Sequence, residues 1–305
     1  MITLYNYENT NIGVNNGNLF IDSVLLDDNT LYVCCPYGIG DTLYVATLID
    51  SYKSYYSINK DICLIVKEKH RFIPNYFDSI DKVIASDNLV NLLNHFSITT
   101  QTWRLENYLY GHFKKSEYRV LYSEYYTTPN KCMIQRYEQL VFGIPLNSTL
   151  CKPSFKELIL PESYSLDKNT IILMPYAMST PLLPSFFWDL LAQILNRLGY
   201  HLYTNVKDET EAPINGTFPL SCSLEEIITI SEPCFAVISL RSGICDLLAY
   251  TNTHLIVINT DVQLHTEWDL TTIHDREGIA NLLCTDIHNI SSLAEEILSF
   301  LGISL

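Results

Sequence analysis

The chain has 305 residues, more than one ordinary domain holds and about right for two. Apolar residues make up 48% and charged residues 17%, which supplies a substantial core and excludes global disorder. Acidic residues outnumber basic ones 34 to 19, and a net charge of −15 excludes a general nucleic-acid binder or a protein docked on an anionic membrane. A small anionic ligand is still compatible, because backbone N–H groups and a few local cations are enough to hold a phosphate.

The N-terminus, MITLYNYENTNIGVNNG, is polar and Asn-rich and carries no secretory leader pattern. No apolar run approaches the ~20 residues that span a bilayer. A soluble, cytoplasmic protein is the expectation. The strand TLYVCCPY follows, continuously apolar, and then DTLYVATLIDSYKSYY, in which Leu43, Ala46, Thr47 and Ile49 fall on one helical face. DICLIVKEKH is a second strand ending in a charge cluster, RFIPNYF a short helix or turn broken by Pro74, and DKVIAS a third strand. DNLVNLLNHF reads as a helix capped by Asp87 or Asn88. Strands apolar on both faces, alternating with helices, indicate a parallel sheet covered on both sides. From Thr99 to Thr128 the pattern is aromatic and weakly periodic. NKCMIQRYEQLVFGIPL is then a helix stopped by Gly143 and Pro145.

Pro145, Pro153 and Pro161 mark a connection, and two domains are expected, 1–150 and 151–305. The second repeats the grammar of the first. NTIILMPYA is a strand, LPSFFWDLLAQILNRLGY an amphipathic helix closed by Gly199, and HLYTNV a strand. CSLEEIITI opens with the capping box Ser223–Glu226. CFAVISL and HLIVINT are strands flanking the helix RSGICDLLAYT, and HNISSLAEEILSFLGI closes the chain as a helix. The fold class is α/β, two successive doubly wound units.

Nine cysteines without a CxxC pair suit reduced, buried thiols, and no clustered metal-ligand spacing occurs, so no metal is expected. The eight histidines show no HxxxH or HExxH spacing; His70, His112 and His274 read as polar-loop residues, at the surface or else within reach of a substrate. GxSxG and the Walker lysine are also missing.

Ligands of open α/β sheets bind at the carboxyl ends of the strands. Four strand ends matter here. In PYGIGD, Gly38 and Gly40 permit positive φ and close backbone approach, and Asp41 sits at the start of a helix, as a cap or as a base. In SLRSG, Arg241 with the turn N–H groups of Ser242 and Gly243 suits a diphosphate, or else makes a local salt bridge; Asp246 lies where it can orient Arg241. In MPYAMST, Ser179 and Thr180 offer hydroxyls to phosphate oxygens or to their own loop. In YTNVKDE, Asn205 and Lys207 stand ready for a ribose or base edge. Trp188 reads as core.

Three of these stretches resemble a known family. YGIGDTLYVATLIDSYK resembles the N-terminal motif of the ADP-heptose-type (heptosyltransferase-like) GT-B glycosyltransferases. ILMPYAMSTPLLPSFFWDLLAQILNRLGYHLYTN is similar to the opening of that family's donor domain. ISLRSGICDLLAYTNTHLIVI occupies the place of its Ser/Thr-Gly-x-x-His-Leu-Ala segment. The resemblance runs from about Leu31 to Thr260. It implies two facing Rossmann-like domains with a cleft between them, the acceptor bound by the first and the nucleotide-sugar by the second. It also implies that Asp41 is the general base and that Ser179, Thr180, Ser242 and Gly243 hold the donor's phosphates without a metal or other cofactor. The expected function is then an inverting transfer of a sugar from a nucleotide diphosphate to a hydroxyl acceptor, in glycan or glycoconjugate assembly, by a protein that can oligomerise. Two departures stand out: Asp246 replaces the family's histidine, and STPLLPSFFW lacks the usual Lys or Arg. A non-catalytic binding or assembly module with the same shell, or a nucleotide-sugar hydrolase or epimerase, are the alternatives.

Overall fold

A computed structural model describes residues 3–6, 12–15, 18–21, 29–35, 38–85, 108–113, 116–121, 132–156, 158, 166–178, 180–208, 210–286 and 290–303. The chain divides into two compact units, Met1–Phe155 and Lys156–Leu305. The helix expected over 87–96 lies outside the described residues.

In the first unit, strands β1 (Thr3–Asn6), β4 (Thr30–Cys35), β5 (Asp61–Val66), β6 (Lys82–Ala85), β7 (Tyr108–Phe113) and β8 (Ser116–Leu121) form one sheet in the order β1-β6-β5-β4-β8-β7. All pairs are parallel except β7–β8, an antiparallel hairpin on the edge. β2 (Ile12–Asn15) and β3 (Asn18–Ile21) pair antiparallel with each other. The sheet is therefore mixed where a purely parallel one was expected. Its N-terminal strands and the hairpin lie in stretches whose sequence showed no clear period.

The helix after β4, α1 (Ile39–Tyr55), is enclosed on every side from Ile39 to Ile49, not on one face. Two threonines survive that burial by returning their hydroxyls to the helix: Thr42 Oγ1 donates to the Gly38 carbonyl at 3.0 Å and Thr47 Oγ1 to the Tyr44 carbonyl at 2.9 Å. The last helix of the unit begins as α2 (Met133–Arg136) and widens into a π turn, Tyr137–Phe142. Gly143 ends it at φ +63°, a left-handed residue whose carbonyl accepts from the Tyr56 hydroxyl at 2.9 Å.

The second unit is one six-stranded, fully parallel sheet: β9 (Thr170–Met174), β10 (His201–Asn205), β11 (Phe218–Leu220), β12 (Ala236–Leu240), β13 (His254–Asn259) and β14 (Ile279–Leu283), ordered β11-β10-β9-β12-β13-β14. The order runs 3-2-1-4-5-6, the doubly wound Rossmann topology. Alternate residues of each central strand feed opposite cores. Ile171, Leu173, Ile238 and Ile256 pack against α3 (Ser185–Arg197) and the closing helix, α8 (Ile290–Phe300), while Ile172, Val237 and Val257 pack against α4 (Glu226–Ser231) and α5 (Gly243–Leu248). Burial on both faces is why these strands read as unbroken apolar runs. Ser223 and Glu226 make the expected reciprocal cap at 2.7 and 3.1 Å. β11, β14 and the short helices α6 (Val262–Glu267) and α7 (Leu270–Ile273) were not expected; each is brief and carries little periodicity. Trp188 is core, 2% exposed. Among the described residues no helix is long and apolar enough to cross a membrane.

Gly143→Ala places a side chain at positive φ with its Cβ 3.0 Å from the Tyr56 hydroxyl. A loss of about 1–2 kcal/mol in urea denaturation is expected, and an unchanged midpoint counts against this account of the helix stop.

Candidate functional site

The carboxyl end of β4 gathers the first group of polar residues. In the sheet β4 lies between β5, the next strand of the chain, and β8, which the chain reaches last, so this is the switch point of that sheet. Asp41 occupies the first turn of α1 and is 7% exposed. Its Oδ2 accepts the Gly38 N–H at 2.9 Å, and its Oδ1 accepts the hydroxyl of Tyr137. Asp41 thus does cap its helix, from inside the first turn.

Gly38 is required for a different reason from the one expected. Its φ is −76° with ψ 175°, extended backbone open to any residue, but a Cβ there would stand 2.8 Å from Asp41 Oδ2. Gly40 is helical and buried. Neither uses positive φ, and at Gly38 the missing side chain leaves room for the Asp41 carboxylate.

His70 corrects a second expectation. It belongs to a 3₁₀ turn just after β5, Glu68–His70, and is 2% exposed instead of lying on the surface. Its Nδ1 lies 3.4 Å from the Thr42 hydroxyl. Burial, and then the charges of Lys69 and Lys67, press its pKa from 6.5 to about 3, so the imidazole is neutral. His112 is in strand β7 instead of a loop. His274 is half-buried, its ring edge-on to Tyr250 at 4.6 Å. Nothing in the sequence pattern marks Tyr137 or Thr42 as part of this group. Tyr137 stands 96 residues from Asp41, with no local pattern linking them.

The second group gathers at the switch point of the second sheet, where β9 and β12 lie side by side with Met174 opposite Ser239. The loops leaving these two strands carry Thr180 and Arg241–Gly243. Arg241 is 4% exposed. Its guanidinium grips Asp246 in a fork, Nη1–Oδ2 at 3.0 Å and Nη2–Oδ1 at 2.8 Å. Nη1 also donates to the Ser242 carbonyl, and the group lies over the Trp268 ring at 5.4 Å. The salt bridge is therefore real but buried, and its cation is already matched by a carboxylate. Ser242 caps α5 with extended backbone, and Gly243 is the first helical residue.

Thr180 is 7% exposed; its hydroxyl is turned inward and has no hydrogen-bond partner among the described residues. Ser179 lies outside the described residues. The loop is tied down by Thr260 Oγ1, which donates to the Pro181 carbonyl at 2.7 Å. Asn205, at the end of β10, spends its amide on the Leu220 carbonyl at 3.3 Å and on Cys222 Sγ at 3.6 Å. That fastens β10 to β11. Lys207 is exposed. Among the described residues no His, Cys, Asp or Glu group could hold a metal ion. The thiols of buried Cys234 and half-buried Cys222 are pushed up to about 12 by desolvation and stay protonated.

No family model matches this chain, and no curated protein matches it. Solved structures do. The chain is similar to E. coli ADP-heptose heptosyltransferase II, at 14% identity and TM-score 0.59, over 90% of this chain and 98% of that one. It is similar to E. coli heptosyltransferase WaaC with ADP, at 12% and 0.60, over 90% and 99%. It is also similar to a glycosyl transferase of family 9 from Veillonella parvula, at 12% and 0.60, over 92% and 99%. The fold is GT-B. At these identities the likeness is one of fold, and it spans nearly the full length of each of these proteins. In GT-B terms, Asp41 follows the first long strand of the N-terminal unit, and Thr180 and Arg241 follow the central pair of strands in the C-terminal unit.

Asp246→Ala leaves the Arg241 guanidinium buried without its forked partner. A loss of about 3–5 kcal/mol in chemical denaturation is expected, and a smaller one when Arg241 and Asp246 are both replaced by apolar residues. Equal losses would mean that the pair is not buried as described. His70 gives a pH dependence. Its folded pKa lies below the unfolded 6.5, so its contribution to stability is complete above pH 6.5 and is lost as pH falls toward 3. His70→Gln should flatten the stability curve over that window by about 1.4 kcal/mol per pH unit; parallel curves for the two proteins would refute a buried neutral imidazole.

Proposed function

We propose that the protein is a glycosyltransferase that moves a sugar from a nucleoside-diphosphate donor to a hydroxyl acceptor with inversion. The reading rests on one observation above all: a nearly buried carboxylate, Asp41, is fixed by two donors at the carboxyl-end switch point of its sheet. In the reaction Asp41 takes the acceptor's hydroxyl proton while the acceptor oxygen attacks the anomeric carbon. The bond from that carbon to the diphosphate oxygen breaks, and the nucleoside diphosphate leaves with the bonding electrons.

The second unit supplies the donor's groups in this reading. The turn Arg241–Gly243 and the loop holding Ser179 and Thr180 leave neighbouring strands at the place where Rossmann sheets hold diphosphates. Arg241 acts there with Asp246 as a neutral pair that shapes the turn, and the leaving diphosphate is met by backbone N–H groups of Ser242 and Gly243. WaaC with ADP has the same fold, which makes ADP the first nucleotide to try. A sugar acceptor in glycan assembly, no metal and a cytoplasmic location complete the proposal. The self-neutralised Arg241–Asp246 pair favours one rival, a non-catalytic module that keeps the shell without gripping a diphosphate.

The test is turnover of a panel of nucleotide-sugars that includes ADP-heptose, together with calorimetry of the matching nucleoside diphosphates. Asp41→Asn should cut turnover by at least about 100-fold and leave nucleotide affinity within about twofold. Undiminished turnover in this variant removes Asp41 as the base, and the absence of binding by every nucleotide in the panel selects the non-catalytic module.

A further inference from the structure

Asp41 accepts from two donors that come from different parts of the chain. The Gly38 N–H belongs to the turn that Asp41 itself caps, so that bond follows from local helix geometry. The hydroxyl of Tyr137 comes from the far end of the unit's sequence, on a side chain 1% exposed. A buried tyrosine needs a partner for its hydroxyl, and a backbone carbonyl would satisfy it. Here the partner is a carboxylate placed at the switch point of the sheet.

The surrounding architecture is built to deliver that contact. The helix carrying Tyr137 leaves α geometry at Tyr137 itself and continues as a π turn to Phe142. Such turns carry an extra residue at a cost in regularity, and they recur at functional sites. The Tyr137 ring lies beside that of Tyr44, centroids 6.4 Å apart. Tyr44 is three residues after Asp41 on α1 and so shares its face. Farther along, Phe142 packs on Tyr52 of the same helix at 5.2 Å. The π segment thus lies along α1 with its first side chain at the carboxylate.

What the hydroxyl adds is control of a soft torsion. The last rotation of an aspartate is broad and nearly two-fold, so packing alone does not set the plane of its carboxylate. One donor on Oδ2 still lets the group swing about that bond. A second donor on Oδ1, anchored on another element, fixes the plane and with it the direction of the remaining lone pairs. We propose that Tyr137 is the positioning residue of the site, holding the Asp41 carboxylate in the one orientation that presents a lone pair to the acceptor hydroxyl. This rests on the reading of Asp41 as the base.

The test uses Tyr137→Phe, which keeps the ring and removes only the hydroxyl. Its first arm needs no substrate: crystal structures of the wild-type and variant proteins. The Asp41 carboxylate is expected to turn away from Gly38 N–H or to occupy more than one orientation in the variant; an unmoved carboxylate overturns the proposal. The second arm measures ADP release from ADP-heptose with acceptor, and ADP binding by calorimetry. In Tyr137→Phe, kcat should fall tenfold or more, while KM for ADP-heptose and Kd for ADP stay within twofold. In an Asp41→Asn background the same change should alter turnover by less than twofold. If Asp41→Asn abolishes turnover while Tyr137→Phe leaves kcat intact, the positioning role falls and the base survives. If both variants keep wild-type turnover, the base itself falls and the positioning role with it. Should the wild-type protein not turn over ADP-heptose, the crystallographic arm decides the positioning role alone.

Discussion

A parallel sheet buried on both faces leaves chemistry only one kind of place to sit: the turns where its strands run out. The second unit shows the constraint plainly. Ile171 to Met174 and Ala236 to Leu240 have almost no exposure, so nothing along those strands can meet a ligand. The polar side chains that matter begin one residue past the last apolar one, at Arg241, or within a short loop, at Thr180. The first unit obeys the same rule, with Asp41 and His70 following β4 and β5.

Electrostatics inside these turns is settled locally and sparingly. In the first unit a neutral imidazole stands by a threonine hydroxyl, and the carboxylate is met by donors that bear no charge. In the second, a cation and an anion five residues apart cancel each other across one turn of helix. At the second turn the charges cancel, so whatever binds there meets oriented dipoles more than net charge.

The legible part of the fold was the part governed by repetition. Continuous apolar runs gave β4, β5, β9, β12 and β13, the 3.6-residue period gave α3 and α8, and the Ser223–Glu226 spacing gave its cap. What escaped was set by tertiary pairing. β11 has three residues and exists because β10 offers an edge. The β7–β8 hairpin sits in sequence with no clean alternation. The helical spacing of Leu43, Ala46, Thr47 and Ile49 suggests one buried face on α1, whereas the helix is enclosed all round from Ile39 to Ile49. In the site, Asp41 and Arg241 were visible as charges at strand ends. Asp246 was visible as the partner of Arg241 because the two are near in sequence. Tyr137 was not, since a contact across 96 residues leaves no mark in any window. His70 was misjudged because the lysines around it look like a solvated loop, whereas the turn folds the ring inward and leaves those charges outside.

The π turn also makes chain length itself part of the design. A π turn takes up one residue more than an α turn over nearly the same rotation, so removing one residue from Tyr137–Phe142 would return the segment to regular winding and leave its two ends facing much as they do. Phe142 would keep Tyr52, and the Gly143 carbonyl the Tyr56 hydroxyl. A relative that is one residue shorter here would keep those end contacts on a regular helix, so an alignment gap at this place would mark a change of winding and not a lost element.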